Sequence, residues 1–136
     1  MNKILISGSL QVISSCQELL KKMPEWKGHY SSESESLFRE ALTCNPDVIF
    51  LDLLMPQIPA DEMIKKLKSI PELNHTVILT YYVPNPKAQD HFAIRAQMIA
   101  VQYMKIATQE AGAREYLGAF SPNLFSDLIN TYRKET

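Results

Sequence analysis

The sequence predicts an α/β protein built as a doubly wound, five-stranded parallel sheet. Three observations carry that expectation: apolar runs too short to be helices, helix-periodic segments between them, and proline or glycine at the junctions. A chain of 136 residues fits a single domain, 1–136, able to bury roughly two-thirds of the surface it exposes when unfolded.

Lys3 to Ser7 is a short aliphatic run, too apolar for a half-exposed strand, and reads as a strand buried on both faces. Leu10 to Met23 places Val12, Ile13, Cys16, Leu19, Leu20 and Met23 at helical spacing and stops at Pro24. Trp26 to Ser31 is a weaker second strand, with Trp26 shielding the sheet edge. Ser32 followed by Glu35 is a capping box, and Leu37, Phe38, Ala41 and Leu42 give the helix behind it one apolar face, ended by Asn45-Pro46. Asp47 to Leu54 is the strongest strand signal, as suits the centre of a parallel sheet. A loop with Pro56 and Pro59 leads to a helix over Asp61 to Ile70, and Thr76 to Tyr82 forms the fourth strand. After Pro84 and Pro86 comes a long helix, Lys87 to about Glu110, then a short strand at Arg114 to Leu117 and a closing helix from Pro122 to Arg133.

Composition narrows the function classes. The formal net charge is −1 with both signs scattered, so no one-signed field draws the protein to nucleic acid or to an anionic membrane. Cys16 and Cys44 have no second Cys or His at a metal-binding spacing and are expected as reduced, partly buried thiols. His29, His75 and His91 share no obvious face. No apolar run reaches the roughly 20 residues that span a bilayer and no signal-peptide pattern opens the chain, so a cytoplasmic location is expected.

In open parallel sheets the chemistry gathers at the carboxyl ends of the strands. Those ends here offer Ser7, Gly8 and Ser9, then Asp52, then Thr80. The stretch Pro46-Asp47-Val48-Ile49-Phe50-Leu51-Asp52-Leu53-Leu54-Met55-Pro56, with Thr80 and the segment Ala111-Gly112-Ala113-Arg114-Glu115-Tyr116-Leu117, resembles the response-regulator receiver domain. The resemblance implies a flavodoxin-like (βα)5 fold over nearly the whole chain, with Asp52 at the phosphoacceptor position and Thr80 at that of the switch residue. It also exposes departures. Gly8 and Ser9 stand where such domains carry the two acids that complete a magnesium site, and Gly118, Ala119 and Phe120 stand where a Lys-Pro pair is expected. Pro59-Ala60 replaces the usual Asp-Gly.

One acid among hydroxyls and carbonyls is a poor cage for a hard divalent cation, so magnesium binding is expected to be weak or absent, with no other cofactor. Phosphoryl transfer needs positioned positive charge, and losing one such stabiliser costs about 100- to 1,000-fold in rate. Two losses leave little, and no enzymatic activity is expected. Asp52 then reads either as a leftover, partly hydrated carboxylate bonded to backbone or to Thr80, or as a slow phosphoacceptor.

The long fourth helix extends beyond what the resemblance implies. Phe92, Ile99, Tyr103 and Ile106 form one apolar line along it and Ile94, Met98 and Val101 another, whereas one stripe suffices to dock a helix on a sheet. The second stripe either packs under the closing helix or the Pro84 to Pro86 loop, or forms an exposed surface with Tyr103 for a partner or a second copy. Hydroxyls and backbone donors at Ser7-Gly8-Ser9 also suit a small anion or a nucleotide, although Asp52 would face it. Three classes follow: a stand-alone interaction module without an output domain, acting independently of phosphorylation; a slow phosphoacceptor; and a small-anion sensor.

Overall fold

The computed structural model describes residues 2–85 and 90–132. Its elements alternate as expected: β1 (Asn2–Ser7), α1 (Leu10–Leu20), β2 (Trp26–Ser31), α2 (Ser34–Cys44), β3 (Val48–Asp52), α3 (Ala60–Lys68), β4 (Val77–Tyr82), α4 (His91–Ala111), β5 (Glu115–Ala119) and α5 (Pro122–Thr131). Pro86, Lys87 and Arg133 lie outside the described residues.

All strand pairs are parallel and the sheet order is β2-β1-β3-β4-β5. Because side chains alternate across a strand, each contiguous apolar run feeds two cores. Ile4, Ile6, Phe50, Leu79 and Tyr81 pack with α1 and α5 on one face. Leu5, Ile49, Leu51 and Ile78 pack with α2 and α3 on the other. Trp26, at the edge strand, is buried as expected. Cys16 and Cys44 are free and buried, and burial pushes the Cys16 thiol up to about 12. Among the described residues no helix is long and apolar enough to cross a membrane.

Three local expectations need correction. Ser32 does not cap α2: the helix starts at Ser34 with Glu33 at the cap position and no side-chain cap bond. The Ser31 hydroxyl donates to the Glu33 carbonyl instead (2.7 Å) and lies 2.6 Å from the Ser36 hydroxyl, so a serine-rich turn precedes the helix. Leu42 is half exposed rather than inward. The third correction concerns α4, where neither apolar line is the docking face. Thr108 is its only buried residue among those described, and Met104 and Ala111 join the α3 core beside it. The inner line therefore runs through Gln97, Val101, Met104, Thr108 and Ala111, at steps of three and four. Phe92, Ile99, Tyr103 and Ile106 point away from the domain, exposed by 84%, 65%, 69% and 56%. Of the second line, Ile94 and Met98 are exposed and Val101 is half-buried.

Candidate functional site

β1 and β3 end side by side at the carboxyl edge of the sheet, Ser7 paired with Leu51, and this brings the Ser7-Gly8-Ser9 turn beside Asp52. Ser7, Gly8, Ser9, Ser32, Ser34, Asp52, Met55 and Pro56 line one cavity of about 150 Å³. The Ser34 hydroxyl, fully buried, donates to the Pro56 carbonyl at 2.5 Å and so pins the loop after β3 to the start of α2. That anchor is invisible in the sequence because it joins residues 22 apart.

Asp52 sits at the end of β3, and the Leu54 amide donates to its Oδ1 (3.0 Å), an interaction that favours the carboxylate. Burial is the larger influence and raises the Asp52 pKa above the ordinary carboxylate value. The acid accepts from backbone, as one sequence reading expected, but not from Thr80. Thr80 is fully buried and its Oγ1 has no hydrogen-bond partner among the described residues. By strand alternation it lies with Ile78 toward α3, whereas Asp52 shares the parity of Phe50 on the opposite face.

The residue packed behind the Ser7-Gly8 turn is Tyr81, the neighbour of Thr80 on β4. It pairs with Asp52 in the β3–β4 register. Its ring stacks on Phe50 with centroids 4.1 Å apart, and its hydroxyl reaches across β3 to donate to the Ser7 carbonyl (2.7 Å). A Cβ on Gly8 would lie 2.0 Å from that hydroxyl oxygen, a separation real atoms do not adopt. Glycine is required here by the phenol and not by the turn, since Gly8 does not take a positive φ. Burial, then the negative charge of Asp52, push the Tyr81 pKa far up, so the phenol stays protonated and donates.

The region expected to have lost its lysine is also filled. Gly118 and Ala119 lie at the end of β5, where a bulge sets Thr80 against Tyr116 and Tyr82 against Ala119, and Gly118 takes φ +95°. Phe120 follows, with ring centroids 5.7 Å from Tyr81 and 6.2 Å from Phe50. Phe120 thus joins Phe50 and Tyr81 in an aromatic cluster, and Tyr81 is the register partner of Asp52.

A divalent cation does not fit these residues. Gly8 and Ser9 contribute no carboxylate, the space a side chain at Gly8 would use holds the Tyr81 hydroxyl, and the described residues contain no cluster of three potential metal-ligating acids, histidines or cysteines. An anion fares little better at the turn. The Gly8 amide is committed to the Ser31 carbonyl (3.2 Å), Ser9 caps α1 by accepting from Val12, and Asp52 lines the same cavity.

The raised pKa of Asp52 sets a sign for pH dependence. The folded state binds this proton more tightly than the unfolded chain, so its contribution is complete below the unfolded pKa, near 3.8, and is lost as the pH rises through the folded value. Above that point the fold carries a half-buried carboxylate whose desolvation the Leu54 amide offsets only in part. Asp52→Asn keeps an acceptor for the Leu54 amide and removes the charge, so it is expected to raise stability at pH 7 by about 0.5–2 kcal/mol. The gain shrinks as the pH is lowered toward the ordinary carboxylate range. Denaturant midpoints at several pH values measure it, and a less stable variant at pH 7 contradicts the assignment.

No protein-family model matches the sequence, and a search of curated proteins finds no match. Solved structures do match. The chemotaxis response regulator CheY4 of Vibrio cholerae superposes with a TM-score of 0.76 at 17% identity, covering 98% of this chain and 99% of that one. A putative response regulator from Chloroflexus aurantiacus gives 0.68 at 22% identity, covering 98% of both chains. A response regulator receiver domain from Clostridium thermocellum gives 0.67 at 19% identity, over 97% of this chain and 94% of that one. With superpositions that run nearly end to end on both chains at TM-scores of 0.67 to 0.76, the chain has the fold of the response-regulator receiver domain.

Proposed function

We propose that this chain is a signalling module of receiver type that transmits by protein contact and not through an acyl phosphate on Asp52. The observation that carries this reading is the Tyr81 hydroxyl, bonded to the Ser7 carbonyl and occupying the space that an acidic side chain at position 8 would need. Phosphoryl transfer to a carboxylate depends on charge held in place against the equatorial oxygens. Around Asp52 the neighbours are serines, a glycine, a methionine, a proline and the paired Tyr81, and the influences on its ionisation are burial and one amide. Contact surface, by contrast, is plentiful on α4, which carries six of the nine large apolar side chains exposed among the described residues.

The test is direct. Incubated with magnesium and acetyl phosphate, the protein is expected to gain no stoichiometric phosphoryl group by intact mass spectrometry, and Asp52→Asn is expected to keep partner binding. A complete adduct that disappears in the Asp52→Asn protein would establish the alternative, a phosphoacceptor working through the small serine-lined cavity.

A further inference from the structure

The outward face of α4 repeats with a coiled-coil period. Phe92, Ala96, Ile99, Tyr103, Ile106 and Glu110 follow one another at alternating steps of four and three, which keeps them on one line for the helix's full length of about 31 Å. The inner line, through Gln97, Val101, Met104, Thr108 and Ala111, lies on the opposite side and holds the helix to its own domain. The seam is therefore free to meet another helix without undocking α4. Ala93, Ala100 and Ala107 flank it at intervals of seven, and small flanking side chains let two helix axes come close.

We propose that the occupant of this seam is α4 of a second copy of the same chain, running antiparallel about a two-fold axis at the level of Val101. This rests on the reading of α4 as a contact surface and names its partner. The seam is self-complementary in that direction. Ile99 faces Tyr103 of the other copy, the small Ala96 faces the large Ile106, and Glu110 faces Phe92, one turn from Arg95 of opposite charge. A symmetric closed pair requires this kind of reciprocal match. A parallel pair would instead set Glu110 against Glu110 and Tyr103 against Tyr103.

The area is adequate. Taking roughly 200 Å² for a large side chain, the exposed parts of Phe92, Ile99, Tyr103 and Ile106 supply about 1,000 Å² over two copies, before Arg95, Gln102 and the alanines are added. Stable interfaces begin near 1,200 Å² in total. A net charge of −1 leaves little long-range repulsion between copies.

Sedimentation velocity of the full chain at roughly 1–100 µM is expected to show a dimer. Ile99→Glu, at a site already 65% exposed, is expected to match the wild-type melting curve at concentrations where both are monomeric and to weaken association by at least about 30-fold. Orientation is read by oxidation of single-cysteine additions, the native Cys16 and Cys44 being buried. In the antiparallel pair Gln102 lies across the axis from its own copy, so Gln102→Cys cross-links efficiently and Tyr103→Cys does not. The reverse result, a wild-type protein that stays monomeric, or a dimer insensitive to Ile99→Glu overturns the proposal. A monomer would leave the reading of Asp52 standing, because that rests on the acetyl phosphate result alone, and a phosphorylated dimer would do the opposite.

Discussion

Gly8→Asp alone is expected to destabilise the domain by about 2–6 kcal/mol and to bind no magnesium, whereas adding Tyr81→Phe is expected to recover most of the lost stability. The first half follows from the 2.0 Å approach of a Cβ at Gly8 to the Tyr81 hydroxyl. That ring cannot swing aside, because it is fully buried, stacked on Phe50 and enclosed by Phe120. Overpacking costs about 1–3 kcal/mol, and breaking the buried bond to the Ser7 carbonyl adds about 1–3 more. Removing the hydroxyl leaves Cζ at 3.4 Å and Val12 Cβ at 3.6 Å as the nearest atoms, which are ordinary contacts. The two substitutions should thus couple favourably in a double-mutant cycle, although Tyr81→Phe alone is mildly destabilising through the orphaned carbonyl. With Ser9→Asp added, three carboxylates including Asp52 gather at the strand ends, and calorimetry is expected to detect magnesium in this triple variant but not in the parent. Tight binding by the parent, or a Gly8→Asp protein as stable as wild type, would show that the phenol does not fill the site.

The cycle also marks what a linear reading reaches and what it misses. The alternating fold was legible because buried parallel strands declare themselves as contiguous apolar runs, Val48 to Leu51 most clearly, and because Pro24, Pro46 and Pro122 punctuate the helices. Asp52 was legible as a strand-end acid beside the Ser7 to Ser9 turn, and the cavity confirms that they meet. Tyr81 was not, because its effect depends on a bond between residues 74 apart and on which face of β4 it occupies. A signal was nevertheless present: a glycine after one strand and a large aromatic at the end of another are a small–large pair that closes a space together. The docking face of α4 failed for a different reason. The helix is apolar nearly all round, so periodicity offered several lines, and the one that docks includes Gln97 and Thr108, which hydropathy ranks low. Thr108 is suited to burial because its hydroxyl donates back to the Met104 carbonyl at 2.7 Å and so leaves no unpaired polar atom.

That assignment of faces yields the second large effect. Thr108→Glu is expected to destabilise the domain by about 3–5 kcal/mol, because a charge with no partner enters a position with no solvent exposure. Met98→Glu, ten residues earlier on the same helix and 63% exposed, is expected to change stability by less than about 0.5 kcal/mol. Met98 lies off the outward seam, beside Tyr82 and Tyr116, so the comparison is not confounded by loss of self-association. Helix propensity favours neither result, since glutamate is a good helix former at both sites. Chemical denaturation of the two proteins at equal concentration separates the possibilities. Had the line through Ile94, Met98 and Val101 been the one that holds α4 to the sheet, the order of the two effects would reverse. A stable Thr108→Glu protein would mean that the C-terminal turns of α4 do not dock beside α3, and the outward assignment of Phe92, Ile99, Tyr103 and Ile106 would fall with it.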